Sequence, residues 1–130
     1  MRSYTLEIPD MPVWNANSRG HHHERARKVR SWRDAVAWIA AADGIPALDL
    51  VEIELVMIPA DRRRRDVDNI AGVLKPCIDG LRDAGVLIED DARHVRAVTC
   101  RIAQPQPALT RHRWLLTVRQ LTAADEGEAA

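Results

Sequence analysis

Four arginines and two aspartates stand within eight residues, RRRRDVDN, at positions 62–69. Arginine side chains neutralise phosphate groups, and aspartate side chains hold divalent cations such as Mg²⁺. A metal ion beside a phosphate polarises it and lowers the pKa of an attacking water, so these residue types suit hydrolysis of a phosphodiester. The same residues are also compatible with an exposed ionic turn, in which Asp66 or Asp68 caps the following helix.

Two charged residues farther along the chain could join these aspartates. If a helix follows DVDN, a rotation of about 100° per residue places Asp68, Lys75 and Asp79 on one face, opposite an apolar stripe. A lysine in that position could stabilise charge in a transition state or orient a water molecule. The alternative is a solvated helix face with no chemical role.

A run of three acidic residues, Glu89, Asp90 and Asp91, precedes another predicted strand. Adjacent carboxylates repel one another unless water or a cation relieves them. Oxygen-rich groups of this kind suit Mg²⁺ or Mn²⁺, which keep several waters and need few protein ligands. The alternative is an acidic surface turn.

Hydrophobic periodicity predicts the elements that would position these side chains. Strands are predicted at Tyr4–Ile8, Leu50–Ile58, Val95–Ile102 and Trp114–Leu121, and helices from about Arg27 to Ala42 and along the apolar stripe Ile70–Leu81. The order β-α-β-α-β-β predicts an α/β or α+β fold, a single domain with a mixed sheet of about four strands flanked by two helices. Pro76 predicts a kink or a restart of the second helix near Lys75.

The composition is that of one globular domain without excess charge, since 19 basic residues balance 19 acidic ones among 130. Zero net charge argues against a generic nucleic-acid coat protein, although basic residues are concentrated in residues 19–33 and 62–65. No apolar run approaches the roughly 20 residues that span a bilayer, and no signal peptide is recognisable, so a cytoplasmic location without membrane contact is expected. Residues 1–121 are predicted to form the domain, and residues 122–130 a flexible acidic tail.

The cysteines, tryptophans and first histidines are interpreted as structural or exposed residues. Cys77 and Cys100 form no CxxC pair and are predicted to be reduced core thiols. Trp32 and Trp38 are predicted to lie in the core of the protein. The run His21–His23 fits exposure or a DNA contact better than a metal site, because adjacent residues rarely converge on one metal.

The segments DVDN, KPCIDGL and EDDARHV together resemble the RusA family of Holliday junction resolvases (crossover junction endodeoxyribonucleases), with the pattern DxDN…K…D-G/A-L…DD. The resemblance covers about Arg62–Val95. The segment MPVWNANSRGHHHERARKVRSWRDAV is similar, more weakly, to the Asn- and Arg-bearing N-terminal segment of the family. The interval between DVDN and Lys75 is three residues longer than in the best-known member.

This resemblance implies a homodimeric, Mg²⁺-dependent endonuclease that cuts four-way junction DNA by paired nicks in recombination and repair, with Mn²⁺ as an alternative to Mg²⁺. The implied catalytic residues are Asp66, Asp68, Lys75 and Asp91. The implied metal ligands are Asp66, Asp68, Asp91 and Asp90, with Asn69 and Asp79 in supporting positions. The expected DNA contacts are Arg62, Arg63, Arg64, Arg65, Asn15, Asn17, Arg19, Arg25 and Lys28.

Two other functions stay open on the sequence. The first is a non-catalytic DNA-binding or regulatory protein on the same fold, and the second is a nuclease that acts on another branched nucleic acid. The DxDN and DD acids argue against the first, because carboxylates that face phosphate give a binding protein no advantage.

Overall fold

The structure is a computed structural model, and it describes residues 2–14, 22–122 and 124–125. Its elements are β1 (Ser3–Ile8), α1 (His22–Ala42), β2 (Val51–Ile58), α2 (Asp68–Ala71), α3 (Leu74–Asp83), β3 (Val95–Ile102) and β4 (Arg113–Gln120). The predicted α+β fold with a mixed four-stranded sheet is therefore confirmed. Among the described residues, no helix is both long and apolar enough to cross a membrane.

The four strands form one sheet in the order β1-β4-β2-β3. Strand β4 pairs antiparallel with both β1 and β2, whereas β2 and β3 are parallel and are connected through α2 and α3. Val51 pairs with Val95 at the start of β2, and Met57 pairs with Ile102 near its end. The loop that leaves β2 therefore begins at one end of this strand pair, and the loop that enters β3 finishes at the other end.

Helices α1 and α3 supply most of the apolar cover of the sheet. Fully buried strand residues such as Leu6, Leu55 and Leu116 belong to one core cluster with helix residues such as Val36 and Leu81. Burial of an aliphatic side chain of this size stabilises the folded state by about 1.5–3 kcal/mol. The predicted apolar stripe is confirmed by the buried residues Ile70, Val73, Cys77, Ile78 and Leu81, with Leu74 partly buried.

Two core tryptophans fix the segment that follows β1. The rings of Trp32 and Trp114 meet edge to face, with centroids 4.9 Å apart and an interplanar angle of 79°. The indole of Trp32 donates to the carbonyl oxygen of Pro12 at 3.0 Å, and the indole of Trp114 donates to Asp10 Oδ1 at 3.0 Å. Each buried indole N–H thereby gains an acceptor, and residues 10–12 are tied to the core.

The predictions for Trp38 and Cys100 need correction. Trp38 is 73% exposed, so its assignment to the core was wrong. Cys100 is only half-buried, on the edge strand β3, whereas Cys77 is buried as predicted, and both thiols are free. Burial raises the pKa of the Cys77 thiol to about 12, which makes this cysteine unreactive at neutral pH.

The second predicted helix is divided into α2 and α3 at Gly72–Val73, which confirms the expected restart near Lys75. Pro76 falls in the first turn of α3, where its missing N–H would have no acceptor within the helix. Gly72 and Val73, at the break, keep right-handed helical backbone angles. Lys75 lies in the first turn of α3.

Helices α1 and α3 are in close contact at Gly80. A Cβ atom at this position would lie 2.6 Å from the carbonyl oxygen of Arg33 and 2.8 Å from Val36 Cβ. At the same crossing, the guanidinium of Arg33 donates two hydrogen bonds, of 2.6 and 2.8 Å, to the carboxylate of Asp83. Gly80 therefore sets the distance between α1, which carries most of the basic residues of segment 19–33, and α3, which carries Lys75.

Candidate functional site

The loop that leaves β2, residues 59–67 and here called the arginine loop, is shaped by Asp61. Its Oδ1 accepts a hydrogen bond from the backbone N–H of Arg63 at 3.0 Å and forms an ion pair with Arg65 Nη2 at 2.7 Å. Arg65 also donates to the carbonyl oxygens of Asp61 and Arg63. The backbone N–H of Arg63 and then the Arg65 side chain lower the pKa of Asp61, so this carboxylate is charged and holds the turn.

The other three side chains of the arginine run have a different environment. Arg62, Arg63 and Arg64 are exposed, and none of the three guanidinium groups forms an ion pair with another described residue. Arg65 is thus a structural residue of the loop, while its three neighbours present charge to solvent. Three unpaired guanidinium groups on one turn are suited to contact successive phosphates.

The RusA resemblance implies binding to four-way junctions, and replacing Arg63 and Arg64 together by alanine should weaken that binding and lower its salt dependence. Each phosphate contact that is lost should reduce the slope of log affinity against log salt by roughly one. The measurement is a titration by fluorescence anisotropy at several salt concentrations. The control is Arg96→Ala, which removes an exposed arginine of β3. An unchanged slope in the double variant would show that the arginine run is a solvated turn that does not contact phosphates.

The DVDN residues are exposed directly after these arginines. The N-cap of α2 is Val67, and no side chain caps this helix, so Asp66 and Asp68 do not have the capping role that was the structural alternative. Within the described part of the chain, neither carboxylate has a hydrogen-bond or ion-pair partner. Two solvent-facing carboxylates therefore stand beside three unpaired arginines.

Lys75 lies between two carboxylates. Its Nζ is 2.8 Å from Asp90 Oδ2 and 3.1 Å from Asp79 Oδ1, and these two residues raise the lysine pKa in that order. Arg82 is close to the same carboxylates and to Glu89. These cations relieve the repulsion predicted for the acidic run, and the structure brings Lys75, Asp79 and Asp90 together as candidate site residues.

Asp91 has separate partners within residues 84–94, here called the acidic loop. Its carboxylate accepts hydrogen bonds from the guanidinium and the backbone N–H of Arg93, at 2.8 and 3.1 Å, and from His94 Nδ1 at 2.8 Å. Arg93 and then His94 lower the pKa of Asp91 to about 2. Lys75 therefore contacts Asp90 and not Asp91. The RusA resemblance favours Asp91 over Asp90 as the metal ligand.

Asp91→Asn should reduce the acid sensitivity of the fold. The pKa of Asp91 is about 2 in the folded chain, against an ordinary value of 3.8, so the ionised carboxylate favours folding. This stabilisation is present above about pH 4 and is lost as the pH falls towards about 2. Melting temperatures at neutral and acidic pH should therefore differ less in Asp91→Asn than in wild type, while Asp49→Asn should keep the wild-type difference.

The predicted metal ligands have the right donor type but do not form a site within one chain. Carboxylate oxygens suit Mg²⁺, yet among the described residues no group of three or more His, Cys, Asp or Glu could hold a metal ion. Asp66 and Asp68 are exposed at the end of the arginine loop and at the start of α2, whereas Asp90 is paired with Lys75, and Asp91 with Arg93 and His94.

A cavity of about 490 Å³ opens next to Asp66. It is lined by residues 10–13, which follow β1, and by residues 64–66 of the arginine loop with Asn69. Trp114 and His112 also line it. The sequence patterns missed Asp10, His112 and Trp114, because their positions lie far from DVDN and carry no motif. His112 Nδ1 accepts a hydrogen bond from the backbone N–H of Ala60 at 2.9 Å, which anchors the start of the arginine loop.

The remaining predicted DNA contacts lie on α1 or before it. Arg25 is exposed on α1, and Lys28 is half-buried with its Nζ 3.9 Å from Glu24 Oε1. Asn15, Asn17 and Arg19 lie outside the described residues, as do His21 and most of the predicted acidic tail. Of the basic segment at residues 19–33, the structure therefore describes only the part from residue 22 onwards.

No protein-family model matches this chain, and a search of curated proteins found no match. Among solved structures, the chain is similar to the crystal structure of the HypE-HypF complex, with 10% identity over 89% of this chain and a TM-score of 0.40. It is also similar to the crystal structure of hydrogenase maturation protein HypE, with 12% identity over 93% of this chain and a TM-score of 0.33. The chain spans 31% and 32% of those chains, and a likeness at this level carries no argument about the site.

Proposed function

We propose that this chain is a Mg²⁺-dependent, structure-selective DNA endonuclease of the RusA type, which resolves four-way junctions by paired nicks in recombination and repair. One observation carries the proposal: among the described residues, the exposed carboxylates of Asp66 and Asp68 have no partner, and they lie in sequence next to the unpaired side chains of Arg62, Arg63 and Arg64, with only Arg65 between. This combination fits the RusA-like motifs DVDN, KPCIDGL and EDDARHV.

The arrangement favours an enzyme over a DNA-binding protein without activity. Exposed carboxylates next to phosphate oppose binding through like-charge repulsion, so they weaken a simple DNA contact. In a hydrolase the same carboxylates provide oxygen ligands for Mg²⁺, which supplies the activation of water. The exposed arginines would hold the phosphate backbone against this acidic pair.

Lys75 has the charge state that the proposal requires. Its pKa is raised by Asp90 and Asp79, so the ammonium group is retained at neutral pH and serves as a cation rather than a base. At 66% exposure the side chain is accessible to a negatively charged substrate. Lys75 would thus stabilise negative charge on the cleaved phosphate.

A homodimer is part of the proposal because resolution of a junction needs two symmetric cuts. A C2 pair supplies two copies of the arginine loop and of Lys75 through one symmetry operator. The RusA resemblance implies Asp66, Asp68, Asp90 and Asp91 as the acidic ligand set, for which Asp90 and Asp91 would exchange their present partners Lys75, Arg93 and His94 for the metal. The expected place of action is the cytoplasm.

The test is incubation of the pure protein with a labelled mobile four-way junction, a flap and a linear duplex, with and without Mg²⁺. We expect cleavage of the junction only, and only with Mg²⁺. Binding without cleavage of any substrate would favour the non-catalytic DNA-binding protein. Preferred cleavage of the flap would favour a nuclease for another branched nucleic acid.

A further inference from the structure

The cavity beside Asp66 has walls that the fold holds in place. On one side, residues 10–12 are tied to the core by the indole N–H groups of Trp32 and Trp114. On the other side, the arginine loop is held by the ion pair between Arg65 and Asp61. A ligand entering this cavity would meet a preformed site and would not have to order the loops itself.

The lining combines an apolar floor with polar and charged side chains. Met57 and Ile70 are almost fully buried, at 4% and 3% exposure, and they lie beneath the cavity. Asp10, Asn69 and Arg64 also line it and supply carboxylate, amide and guanidinium groups. A volume of about 490 Å³ with this mixture is typical of a pocket for an organic ligand.

Such a lining distinguishes a nucleobase from a bare anion or a metal ion. A phosphate or a cation would gain nothing from a floor of thioether and aliphatic carbon, because a charged group loses hydration there. A nucleobase has apolar faces that can lie against Met57 and Ile70, and a polar edge that amide and carboxylate groups can hydrogen-bond. Its 5′-phosphate would remain at the opening, where Arg64 is exposed.

We propose that this cavity receives one nucleobase unstacked from branched DNA, so that the adjoining phosphate lies beside Arg64 at the opening. The inference rests on the proposed function, since it takes DNA as the partner. Unpaired or weakly stacked bases at a branch point cost least to extrude, so the cavity would favour branched over linear DNA. Base capture thereby provides selectivity that the arginines, which bind any phosphate backbone, do not supply.

The test uses methyl NMR of the wild-type chain with each of the four deoxynucleoside 5′-monophosphates, and with 2-deoxyribose 5-phosphate as the probe without a base. We expect the nucleotides to shift the methyl signals of Val13, Met57 and Ile70 saturably below about 10 mM, while the signal of Ile88 in the acidic loop stays unchanged. Equal shifts with 2-deoxyribose 5-phosphate would show a phosphate site and overturn the inference. Absence of saturable shifts would overturn it as well.

A variant that fills the cavity provides the second readout. Val13 lines the opening and is 37% exposed, so Val13→Trp adds bulk there without a change in the buried core. Nucleotide affinity should fall at least about tenfold in Val13→Trp and stay at the wild-type value in Val98→Trp, a control on β3 with 42% exposure. Wild-type affinity in Val13→Trp would contradict the inference.

These results separate the cavity from the proposed function. Nucleotide binding in the cavity by a chain that cuts no junction would support the base pocket and reject the endonuclease. Junction cleavage by a chain whose cavity takes no nucleotide would reject the base pocket alone.

Discussion

Asp68→Asn is expected to lower the rate of junction cleavage by roughly a hundredfold or more while the protein still binds the junction. Asparagine has nearly the same shape, and Asp68 has no hydrogen-bond or ion-pair partner among the described residues, so folding should be unaffected. The substitution removes a negative charge near the DNA, so affinity should hold or increase, most visibly at low salt. It also removes one of the carboxylates that we propose as ligands for Mg²⁺. Single-turnover cleavage and anisotropy titrations measure the two effects separately.

Asp49→Asn is the matched control, because Asp49 is exposed and its carboxylate forms no ion pair with another described residue. It should cut and bind as wild type does. Near wild-type cleavage by Asp68→Asn in Mg²⁺ would show that Asp68 is not a metal ligand. Loss of folding in that variant would show instead that the residue is structural.

Gly80→Ala is expected to reduce the free energy of unfolding by about 1–3 kcal/mol. The new methyl group would lie 2.6 Å from the carbonyl oxygen of Arg33 and 2.8 Å from Val36 Cβ, and a backbone atom cannot move aside as a flexible side chain can. Alanine is the better helix former by up to about 1 kcal/mol, so the steric term has to exceed that gain. We expect it to do so, because only a shift of α1 away from α3 relieves the contact. Urea denaturation followed by circular dichroism gives the change.

The control for this prediction is Gly72→Ala. A Cβ atom at Gly72 would meet Trp14 Nε1 at 3.5 Å, an ordinary contact, and the backbone there is already helical. Its stability should stay close to that of wild type. If Gly80→Ala proved as stable as Gly72→Ala, the close approach of α1 and α3 would not exist in solution.

Local patterns were sufficient to predict most of the fold. Strand alternation and the apolar stripe depend on which face of an element is buried, and Pro76 marks a helix restart through its missing N–H. Trp38 was assigned wrongly because six residues separate it from Trp32, which turns it about 120° away from the buried face of α1. The spacing itself therefore argued for exposure.

The contacts made by the candidate site residues could not be predicted from the sequence. No local pattern determines that Lys75 pairs with Asp90 while Asp91 pairs with Arg93 and His94, because these choices depend on how the acidic loop folds back on α3. Asp10 lines the cavity because its carboxylate accepts a hydrogen bond from the indole of Trp114, which is more than a hundred positions away in the sequence. Long-range contacts of this kind leave no signal in spacing or composition.

The central claim, that two copies of this chain cut a junction in a paired manner, is tested most directly with a supercoiled plasmid that extrudes a cruciform. Two nicks made within the lifetime of one complex convert this plasmid to the linear form, whereas independent single nicks give a nicked circle. We predict linear plasmid in the presence of Mg²⁺ and no product without it. A nicked circle as the final product, or a plasmid that remains supercoiled while the protein is bound to the cruciform, would contradict the account.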